Sequence, residues 1–408
     1  MVCGLLGGKL GHSYSPQIHS QLGEYEYRLF EKKPEELAQF LKEGDFAGLN
    51  VTIPYKKDVI AYCDALSPIA KRLGAVNTIV KRADGTLIGH NTDYFGFASM
   101  VKRSALDPKG KKVLVLGSGG ASNTAKAVMA ELGAKVVVIS RSGENNYENL
   151  HLHSDCAIIV NTTPVGMYPN VGVSPIRLEQ FPALEGVLDV IYNPANTQLL
   201  LDAQKLGLKT ENGLWMLVAQ AKESSEWFTG RSISNDKISD IHRKLRRQTE
   251  NIILIGMPGC GKTTVGKALA QKLGKTFVDA DEAIAQTAGC DIPTIFATQG
   301  ESGFRQLETQ ALADIGKRSG LVMSTGGGCV TQERNYPLLH QNGTLIWLQR
   351  SCDALATGGR PLSQKQNLAD MYAVRKPMYE AFADGIVENS GSIEHAVSLC
   401  LELWEDLV

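Results

Sequence analysis

The sequence predicts an α/β protein of more than one domain. Its 408 residues exceed what a single hydrophobic core normally serves. Apolar, strand-like runs alternate with helical stretches along the whole chain, which is typical of sheets with helical crossovers. Two different glycine-rich loops each follow an apolar run and precede a helical pattern. Such loops bind nucleotides through their backbone, so one nucleotide site is expected in each half.

The first hundred residues predict an α/β sheet. Strand-like runs are expected at residues 2–6, 25–30, 49–53 and 75–80, and residues 34–42 are a helical stretch between two of them. Residues 111–116 then form a continuous apolar strand, a helix follows to about residue 132, and residues 136–139 are the next strand. This is a βαβ unit, and strands at 156–160 and 187–190 extend its parallel sheet.

The first glycine-rich loop lies between that apolar strand and its helix. It consists of Gly117, Ser118, Gly119, Gly120 and Ala121. Glycines let the backbone approach a pyrophosphate, and the helix N-terminus offers unpaired N–H groups and a positive dipole end. A tight strand-to-helix turn without a ligand would have the same pattern.

Arg141 follows the next strand, at the position where an NAD site places an acidic residue for the ribose diol. An arginine there suits a 2′-phosphate, which favours NADP over NAD. A plain surface arginine is the alternative interpretation.

A helical linker is expected near the middle of the chain. Residues 212–228 are typical of an amphipathic helix, and residues 235–248 of a polar, charge-rich one. The basic run at 242–247 is interpreted as a solvated face rather than a nucleic-acid patch, because the net charge of −1 gives no field that would hold a polyanion.

The composition argues against several other classes of protein. The eight cysteines are scattered singly without CxxC spacing, which predicts reduced thiols and no cysteine metal site. No stretch approaches the roughly 20 apolar residues of a membrane span, and Met1 leads directly into a strand without a charged leader. A cytoplasmic protein without membrane or nucleic-acid partners is expected.

The second glycine-rich loop is a complete phosphate-binding motif. It runs from Gly256 to Thr263 after the apolar run 252–255, and strands are expected again at 276–278, 321–324 and 344–348. Lys262 would supply positive charge to the outer phosphates, and Thr263 would offer its hydroxyl to Mg²⁺. The residues predicted to contact the nucleotide are Gly259, Cys260, Gly261, Lys262, Thr263 and Thr264.

Two carboxylates follow the next strand of this half. Asp279 and Asp281 are two residues apart, and therefore on the same side if the strand geometry persists. One carboxylate could support Mg²⁺, which we assign to Asp279, and the other could receive a hydroxyl proton. Ordinary surface aspartates would have the same spacing.

The first half resembles shikimate dehydrogenases over about residues 2–230. The matching blocks occur in the family's order, at 11–16, 50–56, 74–78, 91–93, 161–164 with 166–167, 192–194, and 212–217 with Gln220. The chain departs from the family at 140–142, where Ser-Arg-Ser replaces the usual Asn-Arg-Thr, and a second basic residue a few positions on is absent.

The resemblance implies a set of site residues. Lys56 and Asp93 would form the catalytic pair, and a surface lysine in an ordinary ion pair is the alternative. The shikimate hydroxyls and carboxylate would be bound by Asp93 with Ser13, Ser15, Thr52, Asn77 and Gln220. Val190, Tyr192 and Gly213 would line the nicotinamide and the cleft, with Tyr192 assigned to the substrate. Hydride transfer to a carbonyl carbon requires such a proton donor at the oxygen.

The second half, about residues 251–407, resembles shikimate kinases. The matching blocks are the phosphate loop and residues 279–281, 300–301, 304–305, 308, 324–328, 359–362 and 375–379. The resemblance implies that Asp281 binds the acceptor hydroxyls and is a candidate base. Arg305 and Arg375 would clamp the shikimate carboxylate, because a guanidinium grips a carboxylate through two parallel hydrogen bonds. Without the motif, both arginines could be helix-surface charges.

Three further residues complete this implied site. Gly327 and Gly328 would bring backbone N–H groups to shikimate, and Arg360, in the lid, would reach the ATP phosphates.

Together these patterns predict a two-lobed dehydrogenase followed by a P-loop kinase with a parallel sheet. The expected domains are a substrate lobe at 1–104 completed by helices near 212–230, a Rossmann-type NADP lobe at 105–211, a linker at 231–250 and the kinase at 251–408. The expected function is reduction of 3-dehydroshikimate by NADPH, followed by phosphorylation of shikimate by ATP and Mg²⁺. The alternative is an NAD-dependent quinate or shikimate dehydrogenase regulated by a nucleotide-sensing domain.

Overall fold

The structure is a computed structural model that describes residues 1–11, 13–355 and 368–407. The chain divides into two compact units. The first comprises Met1–Val165, Ser174–Tyr192 and Asp202–Arg243, and the second comprises Gly166–Val173, Asn193–Leu201 and Lys244–Val408. The first unit holds two β-sheets and the second holds one.

The first sheet has six strands in the order β2-β1-β3-β5-β6-β4. Strands β1, β2 and β3 are parallel, whereas β5 runs antiparallel to both β3 and β6. The strands are β1 (Val2–Gly7), β2 (Glu26–Glu31), β3 (Gly48–Val51), β4 (Ala65–Leu66), β5 (Thr78–Lys81) and β6 (Leu87–His90). The helices here are α1 (Ser15–His19), α2 (Leu37–Glu43), α3 (Pro68–Leu73) and α4 (Asp93–Arg103).

The second sheet has five strands, all parallel, in the order β11-β10-β9-β7-β8. The strands are β7 (Lys112–Leu116), β8 (Lys135–Ile139), β9 (Ile158–Asn161), β10 (Gly186–Asp189) and β11 (Lys209–Glu211). The helices that follow in the chain are α5 (Gly120–Glu131), α6 (Gln198–Lys205) and α7 (Leu214–Thr229). The chain leaves β7 toward β8 on one side and returns to β9 on the other, so the switch point of the sheet lies at the carboxyl end of β7.

The predicted polar helix is α8 (Asp236–Thr249). Ile238, Ile241 and Leu245 are buried along it, at the spacing of a single apolar stripe.

The third sheet, in the second unit, is also fully parallel, in the order β13-β14-β12-β15-β16. Its strands are β12 (Asn251–Ile255), β13 (Thr276–Asp279), β14 (Leu321–Ser324), β15 (Gly343–Gln349) and β16 (Gly385–Glu388). The helices are α9 (Lys262–Leu273), α10 (Ala280–Ala288), α11 (Ile292–Gly316), α12 (Asn335–His340), α13 (Leu368–Phe382) and α14 (Ile393–Leu407). Buried apolar side chains of β12 and β15 fill its core.

The predicted α/β class is confirmed, with differences in the strands. The strand expected at 75–80 begins only at Thr78, because the N–H of Val76 donates to the Lys56 carbonyl oxygen and Asn77 lies before the ladder. Four strands were not predicted, since none has a long apolar run: the short β4 and β11, β6, and the half-exposed β16. Within the described residues, no helix has the length and apolar character needed to cross a lipid bilayer.

Candidate active sites

A cavity of about 320 Å³ lies in the first unit, where the first sheet, α7 and the second sheet meet. The antiparallel pairing of β3 with β5 and of β5 with β6 brings the end of β3, the start of β5 and the end of β6 to one edge. The cavity is lined by predicted residues from both lobes, namely Ser13, Ser15, Thr52, Lys56, Asn77, Asp93, Ala121, Val190, Tyr192, Gly213 and Gln220.

Lys56 and Asp93 form a close ion pair in this cavity. The Lys56 Nζ atom lies 2.6 Å from Asp93 Oδ2. Asp93 is the first residue of α4, where the positive end of the helix dipole favours a carboxylate. The lysine ammonium is therefore oriented by a fixed partner and still lines the cavity.

Asn77 supports the aspartate from the other side. Its Nδ2 atom donates to Asp93 Oδ1 at 2.9 Å and to Thr92 Oγ1 at 3.1 Å, and its Oδ1 atom accepts from the Thr92 backbone N–H at 2.7 Å. Both oxygens of the Asp93 carboxylate thus have donors. Asn77 therefore orients the ion pair as well as lining the cavity.

Gln220 reaches the cavity from α7. The Nε2 atom of Gln220 donates to the Leu217 carbonyl oxygen at 2.9 Å. Gly96 allows this approach of α7 to α4, since a Cβ atom at Gly96 would lie 2.7 Å from the Met216 carbonyl oxygen and 2.9 Å from Gln220 Cβ.

Gly213 and Tyr192 shape the side of the cavity that faces the second sheet. A Cβ atom at Gly213 would collide with the Val190 carbonyl oxygen, so only glycine fits. Burial raises the pKa of Tyr192. Its hydroxyl therefore stays protonated at neutral pH and can donate a hydrogen bond.

The first glycine-rich loop lies at the carboxyl end of β7, at the switch point of the second sheet. Gly117 has a φ of 109°, and a Cβ there would lie 2.8 Å from Thr162 Oγ1. Gly119 is the N-cap of α5, and no side chain caps its first N–H groups. Of this loop only Ala121 lines the cavity. Gly117, Ser118, Gly119 and Gly120 do not line it, and their contact with a nucleotide stays a prediction.

Arg141 lies two residues after the end of β8, at the same edge of the sheet, and is exposed. It does not line the substrate cavity.

Sequence reasoning did not single out Asn50 or Thr92. Asn50 lines the cavity, and Thr92 is wholly buried beside it. Both stood inside matched sequence blocks, so only the three-dimensional contacts distinguish them from their neighbours.

A second cavity, of about 410 Å³, lies in the second unit at the phosphate-binding loop. The predicted residues that line it are Gly259, Gly261, Lys262, Thr263, Thr264, Asp279, Asp281, Arg305, Gly327, Gly328 and Arg375. Lys262 is buried and its Nζ donates to the carbonyl oxygens of Gly256 and Met257 at 2.8 and 3.0 Å.

Cys260 does not line the cavity and is fully buried, with its carbonyl oxygen accepting from Asn389 Nδ2 at 2.7 Å. Arg360 lies outside the described residues.

Three side-chain oxygen atoms lie close together at the phosphate-binding loop. Thr263 Oγ1 donates to Asp279 Oδ2 at 2.9 Å and lies 3.3 Å from Ser324 Oγ. Mg²⁺ prefers oxygen ligands and keeps few protein contacts, so this set fits the ion. Ser324, at the end of β14, was not among the predicted metal ligands.

The spacing alone had predicted that Asp279 and Asp281 lie on one face of a strand, and the structure contradicts this. The strand ends at Asp279, whose Oδ1 atom accepts from the backbone N–H of Asp281 at 3.0 Å and so caps α10. Asp281 lies in the first turn of that helix. Both carboxylates still line the cavity, because the helix turns Asp281 toward it. A Cβ at Gly326 would lie 2.8 Å from Asp281 Oδ1, so the glycine leaves room for this carboxylate.

The two predicted arginines are buried, which excludes the interpretation as helix-surface charges. Arg305 and Arg375 are 5% and 7% exposed. Arg305 Nη1 donates to Glu308 Oε2 at 2.8 Å, and its guanidinium lies against Gly328, where any Cβ would clash with it. Arg305 Nε is buried and has no hydrogen-bond partner among the described residues.

Arg375 and Tyr379, one turn apart on α13, hold the glycine loop. Arg375 Nη1 donates to the Gly327 carbonyl oxygen at 3.1 Å, and the Tyr379 hydroxyl donates to the same oxygen. Burial raises the pKa of Tyr379, which keeps this donor protonated. The Gly327 carbonyl oxygen therefore has two donors from the same helix.

Known proteins of similar sequence and structure cover 60% of the chain. A shikimate dehydrogenase (NADP(+)) of Clostridium perfringens is 36% identical over 266 residues, which cover 60% of this chain and 97% of the relative. The crystal structure of shikimate dehydrogenase 1 from Peptoclostridium difficile is 41% identical, with a TM-score of 0.56 over 60% of this chain and 97% of that one. A Thermus thermophilus shikimate 5-dehydrogenase in complex with NADP(H) and shikimate is 31% identical, with a TM-score of 0.55 over 60% and 99% of the two chains.

The fold and the two cavities define an enzyme that joins a two-lobed dehydrogenase to a P-loop kinase. The model of the shikimate dehydrogenase substrate binding domain matches residues 5–79, and the shikimate kinase model matches residues 258–405. The chain belongs to the shikimate dehydrogenase family, carries a shikimate kinase domain in its second half, and is a bifunctional enzyme of the shikimate pathway.

Proposed function

We propose that the first unit reduces 3-dehydroshikimate to shikimate with NADPH, and that the second unit phosphorylates shikimate with ATP to shikimate 3-phosphate. The observation that carries this proposal is the presence in one chain of two built cavities, one around the Lys56–Asp93 pair and one around Arg305 and the phosphate loop. The product of the first reaction is the substrate of the second.

In the dehydrogenase, NADPH when bound would supply the hydride for the carbonyl carbon, and Lys56 would give a proton to the carbonyl oxygen. The 2.6 Å contact with Asp93 keeps the ammonium oriented for this transfer. In the reverse direction the same lysine accepts the hydroxyl proton. Ser13, Ser15, Thr52, Asn77, Tyr192 and Gln220 would bind the other polar groups of the ring acid.

NADP is the proposed dinucleotide. The N-terminus of α5 at Gly119 and Gly120 would bind the pyrophosphate, and Val190 with Gly213 would lie beside the nicotinamide. Arg141 would pair with the 2′-phosphate that distinguishes NADP from NAD.

In the kinase, the shikimate 3-hydroxyl attacks the γ-phosphorus of ATP, the bond to the β-phosphate oxygen breaks, and ADP leaves. Asp281, which lines the cavity, would receive the hydroxyl proton, and Arg305 with Arg375 would hold the carboxylate. Lys262 would turn from its backbone partners to the phosphates. Thr263 and Asp279 would hold Mg²⁺, which when bound neutralises charge on the phosphates. Arg360 would add a further positive charge.

The decisive experiment follows the whole sequence in one vessel. The full chain is incubated with 3-dehydroshikimate, NADPH, ATP and Mg²⁺, and the products are followed by mass spectrometry. NADPH-dependent formation of shikimate and ATP-dependent formation of its phosphate are expected, with slower reduction when NADH replaces NADPH. Either of two results would favour the regulated quinate dehydrogenase instead. One is preferential reduction of dehydroquinate with NADH. The other is a change in the reduction rate on addition of ATP while no phosphate appears in the product.

A further inference from the structure

Arg350 lines the kinase cavity, although no sequence motif singles it out. It directly follows β15, which runs parallel to β12, the strand that leads into the phosphate-binding loop. The two strands are close at this end, since a Cβ atom at Gly256 would lie 2.5 Å from the Leu348 carbonyl oxygen. The sheet therefore holds Arg350, two residues further on, beside the start of the loop.

The cavity is lined by four cationic side chains, and Arg350 differs from the other three. Lys262 donates to two backbone carbonyl oxygens, Arg305 forms an ion pair on its own helix, and Arg375 donates to a carbonyl oxygen of the glycine loop. Within residues 1–11, 13–355 and 368–407, the Arg350 side chain has no hydrogen bond or ion pair, and its Nε atom is buried. Burying a guanidinium N–H without an acceptor costs free energy, so we expect a ligand to supply the acceptor.

The order of the strands indicates which ligand group this is. Asp281 follows β13 and Gly328 follows β14, and β12 with its phosphate-binding loop lies between these two strands and β15. Arg350 thus enters the cavity from the side of the loop that is opposite to the strands carrying these acceptor residues. This order favours the phosphate chain at the loop, rather than the ring acid, as the ligand of Arg350.

We propose that Arg350 binds the phosphate chain of the nucleotide in the kinase reaction, through hydrogen bonds from its guanidinium to phosphate oxygens. Arginine suits this ligand, because its planar guanidinium can form two parallel charged hydrogen bonds with a phosphate. Lys262 would act as a separate point charge on the outer phosphates. This inference rests on the proposed function, since it takes ATP as the ligand of the second unit.

Replacement of Arg350 by glutamine removes the charge and keeps a polar side chain. In Arg350→Gln, the Kd for ATP and the Kd for inorganic tripolyphosphate should both rise about tenfold, the effect of one lost charged hydrogen bond. Calorimetry on the full chain with Mg²⁺ measures both constants, with NADP⁺ in excess to occupy the dinucleotide site. The KM for shikimate, measured in the kinase assay at saturating ATP, should keep its wild-type value.

The matched control is Arg334→Gln. Arg334 is an exposed arginine of the same unit and does not line the cavity. The substitution makes the same change in net charge, so it separates a local contact from the general field of the protein. Both Kd values should stay at the wild-type level. The unfolding temperature of each variant reports that the full chain is folded.

Tripolyphosphate separates a contact with the phosphates from a contact with the base or the ribose. A rise in the Kd for ATP alone, with the Kd for tripolyphosphate unchanged, would assign Arg350 to the base or the ribose and overturn the proposal. Unchanged values for both ligands, an equal rise in Arg334→Gln, or an equal rise in the KM for shikimate would overturn it too.

A second variant covers the case in which Arg350→Gln does not fold. Arg350→Lys keeps the charge but loses the paired hydrogen bonds, and should raise both Kd values severalfold; wild-type values there would overturn the proposal. A wild-type chain that binds ATP but forms no phosphate of shikimate would instead refute the proposed function, and the comparison of Arg350 with Arg334 could still be read from the two Kd values.

Discussion

Arg305 and Glu308 form a buried ion pair on α11, with Arg305 Nη1 2.8 Å from Glu308 Oε2. Glu308 is fully buried, and burial raises the pKa of its carboxyl against the opposing effect of the Arg305 charge. The pair holds the guanidinium against Gly328, and Arg305 and Gly328 both line the cavity. Breaking such a pair leaves an uncompensated buried charge.

This arrangement predicts that lysine cannot replace Arg305. In Arg305→Lys, the single ammonium cannot contact Glu308 and a substrate carboxylate in the same planar geometry. The KM for shikimate in the kinase assay should rise about 10- to 100-fold, as expected for a lost charged hydrogen bond, and the KM for ATP should change little. Arg318→Lys, an exposed arginine after the same helix, is the control. An unchanged KM for shikimate in Arg305→Lys would exclude Arg305 as a carboxylate ligand.

Lys262 gives a prediction that separates the two activities. Lys262→Ala should lower the kinase kcat at least a hundredfold, because the γ-phosphate loses its main positive charge in the transition state. Reduction of 3-dehydroshikimate should remain within about twofold of wild type. Lys267→Ala removes an exposed lysine from the same helix and should leave both rates unchanged. A large loss of reduction in Lys262→Ala would support a regulatory role for the second unit.

Lys56 gives the corresponding prediction for the first unit. Lys56→Met should lower the dehydrogenase kcat about 10²- to 10⁴-fold, the usual contribution of a positioned proton donor. The kinase rate should be unaffected. Lys57→Met alters the neighbouring exposed lysine and should leave kcat near wild type. If Lys56→Met changed only the KM for shikimate, Lys56 would be a binding residue rather than the proton donor.

Arg141 is expected to determine the preference for NADPH over NADH. Arg141→Ala should raise the KM for NADPH about 10- to 100-fold through loss of a charged contact to phosphate. The KM for NADH, measured on the same variant, should change less than about twofold, since NADH lacks the 2′-phosphate. Equal changes for both cofactors would show that Arg141 supports the loop rather than the phosphate.

Most of the site residues could be predicted because the chemistry requires specific side chains in matched sequence blocks. Lys56 and Asp93 are 37 residues apart in sequence, yet the antiparallel β3-β5-β6 pairing brings them into contact. The sequence could not predict the capping of α10 by Asp279, because a strand and a helix N-cap are both compatible with the same aspartate. It also could not predict the burial of Arg305, which depends on Glu308 and on the glycine that faces it.

Ser224 and Ser324 show a second limit of sequence patterns. Neither has a side chain that is distinctive on its own, and each contacts side chains far away in the sequence. Ser224 meets Asn50, 174 residues away, and Ser324 meets Thr263, 61 residues away. Such hydroxyls are found by counting donors and acceptors in the folded state.

The burial of His19 predicts how the stability of the first unit depends on pH. Its ring is fully buried, stacks on Tyr27 at 4.0 Å and bonds to the Tyr25 hydroxyl through Nδ1 at 2.6 Å. Burial lowers the pKa of His19 from 6.5 to about 3. Below about pH 6.5 the unfolded chain therefore binds a proton that the folded chain does not, so the free energy of unfolding should fall as the pH is lowered from 7.5 to 5.5.

The measurement is urea unfolding of the full chain at these two pH values. Hydrogen-exchange mass spectrometry of the peptides around β2 assigns the transition of the first unit. In His19→Asn the difference between the two pH values should shrink, whatever the absolute stability of the variant, because no group at this position titrates. The control is His151→Asn, which removes an exposed histidine of the same unit and should keep the wild-type pH dependence. An unchanged pH dependence in His19→Asn would assign the acid sensitivity to other groups.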